Sequence, residues 1–323
     1  MSRYDRQRLE RYDETVSSYT IVQITDEDHA SQVTLDDGET YFMSRLRRDR
    51  AHRRVDEAGT VHYSFEQIPN DAGGEEHVHS KFGEVDADTF RGGEFSELVQ
   101  WGRHLLVFDD RTGIVGEIRG ASHTIIPRQI LMTGSGDEAQ KGFKCEWATL
   151  LGDELVVGSH GKVRRQEWVK RLDPDGYKVT SEDWGHAYQQ MREACGIEDR
   201  GYVVHEAAEW HPFRERWFFL PRKVSDEPFD EAKDEREKGN NLLIEADAAF
   251  DRIEVRTMGE RIPERGPSSL KLVPGHPDEF VYMKSVEIDD TTESWIGAAD
   301  IRGNVLATEV KLGDFKCEGI EFA

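Results

Sequence analysis

The tetrapeptide Phe-Lys-Cys-Glu occurs twice, at residues 143–146 and again at 315–318, shortly before the chain ends at residue 323. Self-similarity within one chain points to a repeated structural unit, and here the flanks agree. Glu146 is followed by Trp-Ala-Thr-Leu-Leu, the turn Gly152-Asp153 and Glu-Leu-Val-Val-Gly. Ser96, Glu206 and Ser268 open similar stretches, with turns at Gly102-Arg103, His211-Pro212 and Pro274-Gly275. Each is a small polar or acidic residue leading a short strand, a turn and a more apolar strand. The five leaders, at 96, 146, 206, 268 and 318, lie 50, 60, 62 and 50 residues apart. Each step is long enough for one four-stranded sheet. Sheets repeated radially make a β-propeller, so this all-β chain is expected to have five blades.

The last leader bears on how such a ring closes. Only Gly-Ile-Glu-Phe-Ala follows Glu318, enough for a single strand. The N-terminal run Tyr19-Thr-Ile-Val-Gln-Ile-Thr25 is the expected donor of the next strand in that blade, which would leave no open edge. Innermost strands converge on the channel, so the leaders should face one another across a narrow space. Three glutamates there cannot all be buried as bare anions. A hard cation with carboxylate, hydroxyl and carbonyl oxygens resolves this, and calcium suits such a shell.

A closed ring over residues 19–323 is one domain, preceded by a charged lead-in at 1–18. No stretch approaches the roughly 18 apolar residues of a membrane span. The N-terminus is charged and lacks an apolar signal core, as expected of a cytoplasmic chain or of a secreted one without its signal. Three cysteines cannot all pair, and Cys145 and Cys317 read as small core residues. A net charge of −23 argues against general nucleic-acid binding. Positive charge for an anionic substrate would have to be concentrated locally.

Several segments together resemble the calcium-activated nucleotidase (apyrase) family. They are Phe108-Asp109-Asp110-Arg111-Thr112-Gly113, Lys141-Gly142-Phe143-Lys144-Cys145-Glu146-Trp147, His205-Glu206, Arg216-Trp217-Phe218-Phe219-Leu220-Pro221-Arg222 and Glu318-Gly319-Ile320-Glu321-Phe322. The similarity runs in the same order from about residue 19 to the C-terminus. It implies a five-bladed propeller with one calcium in the channel, hydrolysing nucleoside di- and triphosphates. It also implies that the calcium ligands are Ser96, Glu146, Glu206, Ser268 and Glu318, with the neighbouring Ser269 leaving that register open by one. Association in pairs is a further family trait, though no exposed apolar stripe here predicts a dimer.

Hydrolysis of a terminal phosphoryl group needs charge neutralisation, in-line placement of water and a group to orient that water. Asp26 and Asp28 follow the first strand and should reach a channel mouth. Asp109, Asp110 and Arg111 cap a strand at a turn. Asp110 or Asp26 is the expected water-orienting carboxylate, with Asp28 and Asp109 near the phosphates. Arg111, Lys141, Lys162, Arg222 and Lys284 are the expected phosphate partners. Arg47 and Arg48 are weaker matches to a basic pair in the family. The bland readings are an ordinary Asp-rich hairpin turn, solvated loop lysines and an Arg222 paired with a carboxylate. His205 reads as a hydrogen-bonded neighbour of Glu206, and Trp147 as core or channel lining. Two other functions fit a propeller: a glycoside hydrolase with paired acids, and a binding module in which calcium only holds the ring closed.

Elsewhere, residues 26–95 look least regular, and Asp226–Asn241 reads as a charged loop. Residues 184–195 have helical character and stop at Gly196, where a C-terminal cap is expected.

Overall fold

The computed structural model describes Leu9 and residues 14–323, apart from 35, 37, 70–73, 82–83, 87–88, 121–122, 137–140, 177 and 198–199. Most of the charged lead-in therefore lies outside the described residues. Five leaders give five blades. Blade 1 runs outward through Phe95–Trp101, His104–Asp109, Ile114–Arg119 and Thr124–Ile130. Blade 2 holds Trp147–Leu151, Glu154–Gly158, Trp168–Leu172 and Val179–Asp183. Blade 3 holds Tyr202–His211, Arg216–Ser225, Leu242–Asp247 and Ile253–Thr257. Blade 4 holds Gly266–Val273, His276–Ile288, Thr291–Asp300 and Val305–Gly313. The tight turn after the first strand needs a left-handed residue. Gly102, Gly152 and Gly275 supply it in blades 1, 2 and 4, and Glu215 does so in blade 3.

Blade 5 is assembled from both ends of the chain. Its innermost strand is Cys317–Phe322, paired antiparallel with Ser18–Thr25, which in turn pairs with Thr40–Val55. The third strand has 16 residues. Along its outer edge Glu75–Ser80 covers residues 42–47 and Val61–Gln67 covers residues 49–55. The outermost position of this blade is thus shared between two strands. The innermost strands touch in sequence around the ring, blade 1 against 2, 2 against 3, 3 against 4, 4 against 5 and 5 against 1. Five apolar clusters match these junctions, one between each adjacent pair of blades. The fifth, with Val22, Ile24 and Leu46 facing Leu98 and Val107, seals the N-terminal strand against blade 1. Burial of a face on both sides of each sheet is what stabilises the ring.

Two segments depart from the sequence reading. Residues 26–95 are largely regular, because the run Arg45–Arg50 lies within the 16-residue strand. Its charges hide the alternation by pairing: Arg45 with Glu27, Arg47 with Asp49 and Arg48 with Glu76. Segment 226–241 is not all loop but contains the helix Glu231–Glu237, capped by Asp230, which accepts from the Lys233 N–H. The buried Asp234 takes a hydrogen bond from the Tyr202 hydroxyl and pins the helix to blade 3. The other helix, Gly185–Ala194, follows expectation. Ala187, Tyr188 and Met191 pack between blades 2 and 3. Gly196 and Ile197 donate back to Glu193 and Arg192 at its end. The three cysteines are unpaired, with Cys145 and Cys317 buried.

Candidate active site at the channel mouth

All five leaders are buried, Ser96, Ser268 and Glu318 within the first three residues of an innermost strand, Glu146 just before one and Glu206 midway along one. In four of them the strand bulges at the leader. Pairing in blade 1 steps past Ser96, in blade 3 past Glu206, in blade 4 past Ser268 and in blade 5 past Glu318. Glu146 stands one residue before the paired segment of blade 2, its N–H donating to Gly158. A bulge releases one residue from the ladder and re-aims its side chain. Ser268 is the bulged residue, whereas Ser269 is back in register and donates to Glu97.

The charges at these leaders are unevenly matched. Burial alone would raise the Glu146 carboxyl, but His160 Nε2 at 2.9 Å and Lys144 at 2.6 Å outweigh it and hold it well below the usual carboxylate range. Burial raises Glu206 despite Arg222 at 2.9 Å, with Glu146 adding to the rise. Glu318 is pushed well above its ordinary value by burial, and Asp26, Glu206 and Glu287 reinforce this against Lys316. For two of the three glutamates, burial and neighbouring carboxylates thus outweigh the cations beside them. The Ser96 hydroxyl is buried with no hydrogen-bond partner. The facing ligand atoms of Glu146, Glu206 and His160 lie within 4.8 Å of one another. This oxygen-rich, under-neutralised set fits a hard divalent cation.

The two lysines of the repeated tetrapeptide occupy equivalent places. Lys316 joins Asp26, at 2.7 Å, to Glu318, at 3.2 Å. Lys144 joins Asp110 to Glu146. Each lysine thus links a mouth aspartate to the leader two residues on. Asp26 and Asp110 meet at one junction, since Asp26 bridges to Glu94 and the Asp110 N–H donates to the Glu94 carbonyl. One carboxylate oxygen of Asp110, Oδ1, is buried and finds no hydrogen-bond partner among the described residues. Sequence reading gave Lys144 and Lys316 no role. Their shared position in the repeat was the signal.

Arg222 gathers Glu206, Glu287 at 2.8 Å, Glu318 at 3.9 Å and the Ser285 hydroxyl at 2.7 Å. Next to it Lys223 pairs with Glu235. Lys162 lies 3.5 Å from the Phe229 ring centre, and burial together with Lys223 and Lys144 lowers its ammonium below the ordinary value. Arg111 is half-buried at the tip of the turn that carries Asp110. Lys162 and Arg111 lie on connections, and Arg222 and Lys223 near the end of the second strand of blade 3, all at the end of the ring where the innermost strands begin.

Other expected residues are placed differently. Asp109 is committed to its turn: Oδ1 accepts from the Arg111 and Thr112 N–H groups and the Thr112 hydroxyl, and Oδ2 from Gly93. Burial raises its pKa to about 6 in spite of these bonds. Lys284 is fully buried against Glu309 at 2.8 Å, inside blade 4 rather than with the leaders. Lys141 is exposed. The Asp28 side chain lies outside the described residues. Arg47 is bound to Asp49 and the Leu312 carbonyl, away from the mouth. The His205 ring is not hydrogen-bonded. It packs between Tyr188 and Phe219, and burial drives its pKa down to about 3. Trp147 is core, as expected, amid Trp184, Trp217 and Phe219.

Beneath the leaders is a second set of charges that sequence reading missed. Lys271 of blade 4 reaches Glu97 of blade 1 at 2.9 Å, the Ala148 carbonyl of blade 2 at 3.3 Å and Glu209 of blade 3 at 4.0 Å. Contact with three other blades puts its ammonium on the ring axis. Glu97 and Glu209 are both fully buried. Burial outweighs Lys271 and raises the Glu97 pKa to about 8. Gly319 of blade 5 lets the ring close at this level, because a Cβ there would lie 2.6 Å from the Glu97 backbone.

Fold and site define a five-bladed propeller whose mouth sets buried carboxylates against lysine and arginine. The apyrase family profile matches residues 27–323. The chain belongs to the apyrase family. It is 35% identical to the apyrase of Cimex lectularius over 93% of this chain and 81% of that protein. To the soluble calcium-activated nucleotidase 1 of Rattus norvegicus it is 38% identical, over 73% of this chain and 60% of that protein. To apyrase apy-1 of Caenorhabditis elegans it is 34% identical, over 98% and 87%.

Proposed function

We propose that the channel mouth is the active site of a calcium-dependent phosphohydrolase, releasing the terminal phosphate of nucleoside di- and triphosphates. The single observation that carries this placement is the convergence of Glu146, Glu206 and Glu318 with Asp26, Asp110, Lys144, Arg222 and Lys316 on one end of the ring. Ser96, Glu146, Glu206, Ser268 and Glu318 would hold the calcium. When bound there, calcium would polarise phosphate oxygens and supply the positive charge that Glu206 and Glu318 lack.

The chain's own groups would do the rest. Asp110 is favoured to orient the attacking water, because its free Oδ1 points from a site already anchored by Lys144. Asp26 holds the symmetry-related place and is the other carboxylate of this kind. Arg111, Lys162 and Arg222 would neutralise phosphate. Charge-assisted bonds aimed at a phosphoryl group are the main catalytic resource of such a reaction. A sugar-cleaving reading leaves the lysines and arginines without purpose. Phosphate release from nucleoside diphosphates should require calcium, stop with chelator and recover poorly with magnesium, which prefers a smaller octahedral shell. Release that is indifferent to chelator, or absent under all conditions, would overturn the reading.

A further inference from the structure

Phe229 is one of the few large apolar residues left open to solvent, at 37% exposure. It lies on the connection between the second and third strands of blade 3, at the mouth end of the ring. Its position is built rather than loose. The ring packs edge-on against Tyr202 at 5.5 Å, and the Tyr202 hydroxyl is tied to Asp234. The helix Glu231–Glu237 follows directly and is anchored by the Lys223–Glu235 pair. Tyr202 opens the strand that carries Glu206, and Lys223, 5.9 Å from the Phe229 ring centre, is the chain neighbour of Arg222, which pairs with Glu206.

Two ammonium groups attend this ring, Lys162 at 3.5 Å and Lys223 at 5.9 Å from its centre. Lys162 comes from the equivalent connection of blade 2. Among the described residues it has no carboxylate within 4.0 Å, so the aromatic face is its partner. A cation over an aromatic face is held by only about 0.5–2 kcal/mol, and a lysine stem swings easily. An aromatic face beside a lysine with no carboxylate partner among the described residues, next to the lysines and arginines of the mouth, matches a nucleotide in outline.

We infer that Phe229 is the stacking platform for the nucleobase and that Lys162 is its removable cover, leaving the ring for the phosphates when the base arrives. The inference rests on the nucleotidase reading and adds the subsite that recognises the base. Stacking of a base on an aromatic side chain tolerates every base, so the platform serves purines and pyrimidines alike, the larger purines more strongly.

The test compares a nucleoside diphosphate with inorganic tripolyphosphate, which has phosphates and no base. Tripolyphosphate is followed by turnover or, where it is not cleaved, by its inhibition constant. Phe229→Ala should raise KM for the diphosphate about tenfold, leave kcat nearly unchanged and leave tripolyphosphate within about twofold. Phe229→Trp should restore the diphosphate KM, and Phe229→Leu, which keeps apolar volume without a π face, should not. Lys162→Met should weaken both ligands, because its charge serves the phosphates. Equal losses for both ligands in Phe229→Ala, or full rescue by leucine, would make Phe229 a structural residue and overturn this inference alone. A wild-type chain inert toward every nucleoside diphosphate would overturn the nucleotidase reading, and this inference with it.

Discussion

Glu206 and Glu209 stand three residues apart on one innermost strand, yet their charges are handled in opposite ways. Glu206 is turned out of the ladder by a bulge, toward a mouth where lysines and arginines are shared among too many carboxylates. Glu209 stays in register and shares Lys271 with Glu97 in the sealed interior. Lys271 reaches both carboxylates, and burial raises the Glu97 pKa to about 8, which favours a protonated Glu97 near neutral pH. The lower layer thus draws its compensation from Lys271 and from the raised Glu97, within the chain. The upper layer is left waiting for a cation from outside. One strand therefore carries both a charge layer closed within the channel and a leader of the proposed metal site, separated by a single bulge.

The largest effect should come from breaking the lower layer. Lys271→Met leaves Glu97 and Glu209 buried without their cation and should cost about 3–5 kcal/mol of stability. Denaturant titration with and without calcium checks this. Restoration by calcium would mean that the two layers are interchangeable.

The proton in the lower layer sets a pH dependence. Glu97 binds its proton more tightly folded, with a pKa of about 8, than unfolded, where the ordinary value is 4.5. Its contribution to stability is complete below about pH 4.5 and is lost as pH rises through about 8. Stability should fall across that window by on the order of a few kcal/mol. Glu97→Gln should flatten the fall, and an unchanged slope in that variant would remove Glu97 as the cause.

At the mouth, Arg111→Ala should lower turnover of nucleoside diphosphates by about a hundredfold, a few kcal/mol of transition-state stabilisation, with folding and calcium binding almost intact. Wild-type activity would reduce Arg111 to a turn residue. The smallest expected effects separate neighbours. Ser269→Ala should cost about 1 kcal/mol of stability through its bond to Glu97 and spare calcium affinity. Ser268→Ala should weaken calcium severalfold and cost the calcium-free chain no more than about 1 kcal/mol, through its bond to the Cys317 carbonyl. Reversed results would shift the ligand register by one residue.

Much of the upper layer was legible because a small polar or acidic residue recurs at the same place in each blade. The spacing of Ser96, Glu146, Glu206, Ser268 and Glu318 exposed the blades, and the short tail after Glu318 exposed the closing strand. In the doublet Ser268-Ser269 only Ser268 steps out of register, which supports the proposal of Ser268 over Ser269 as the ligand. The lower layer was not legible, for a physical reason. Glu97, Glu209 and Lys271 sit at different offsets from their leaders and converge only when the ring closes. Lys284 misled for the converse reason. It lies beside the strand end expected at the mouth, but Glu309 on the edge strand of its own blade takes its charge. Asp109 and Asp110 are adjacent in the chain, and only hydrogen-bond geometry shows that the first is used by the turn and the second left for the mouth.

Calorimetric titration of calcium into the wild-type chain and into Glu206→Gln, with melting temperature followed over the same calcium range, tests the upper layer most directly. The substitution removes one charge and keeps the shape. The wild type should bind one calcium and gain stability from it by mass action. Glu206→Gln should bind more weakly, need more calcium for the same rise in melting temperature and for half-maximal activity, and partly recover at high calcium. An identical calcium dependence in the two proteins would contradict the shared site and leave Glu146, Glu206 and Glu318 without a common ion.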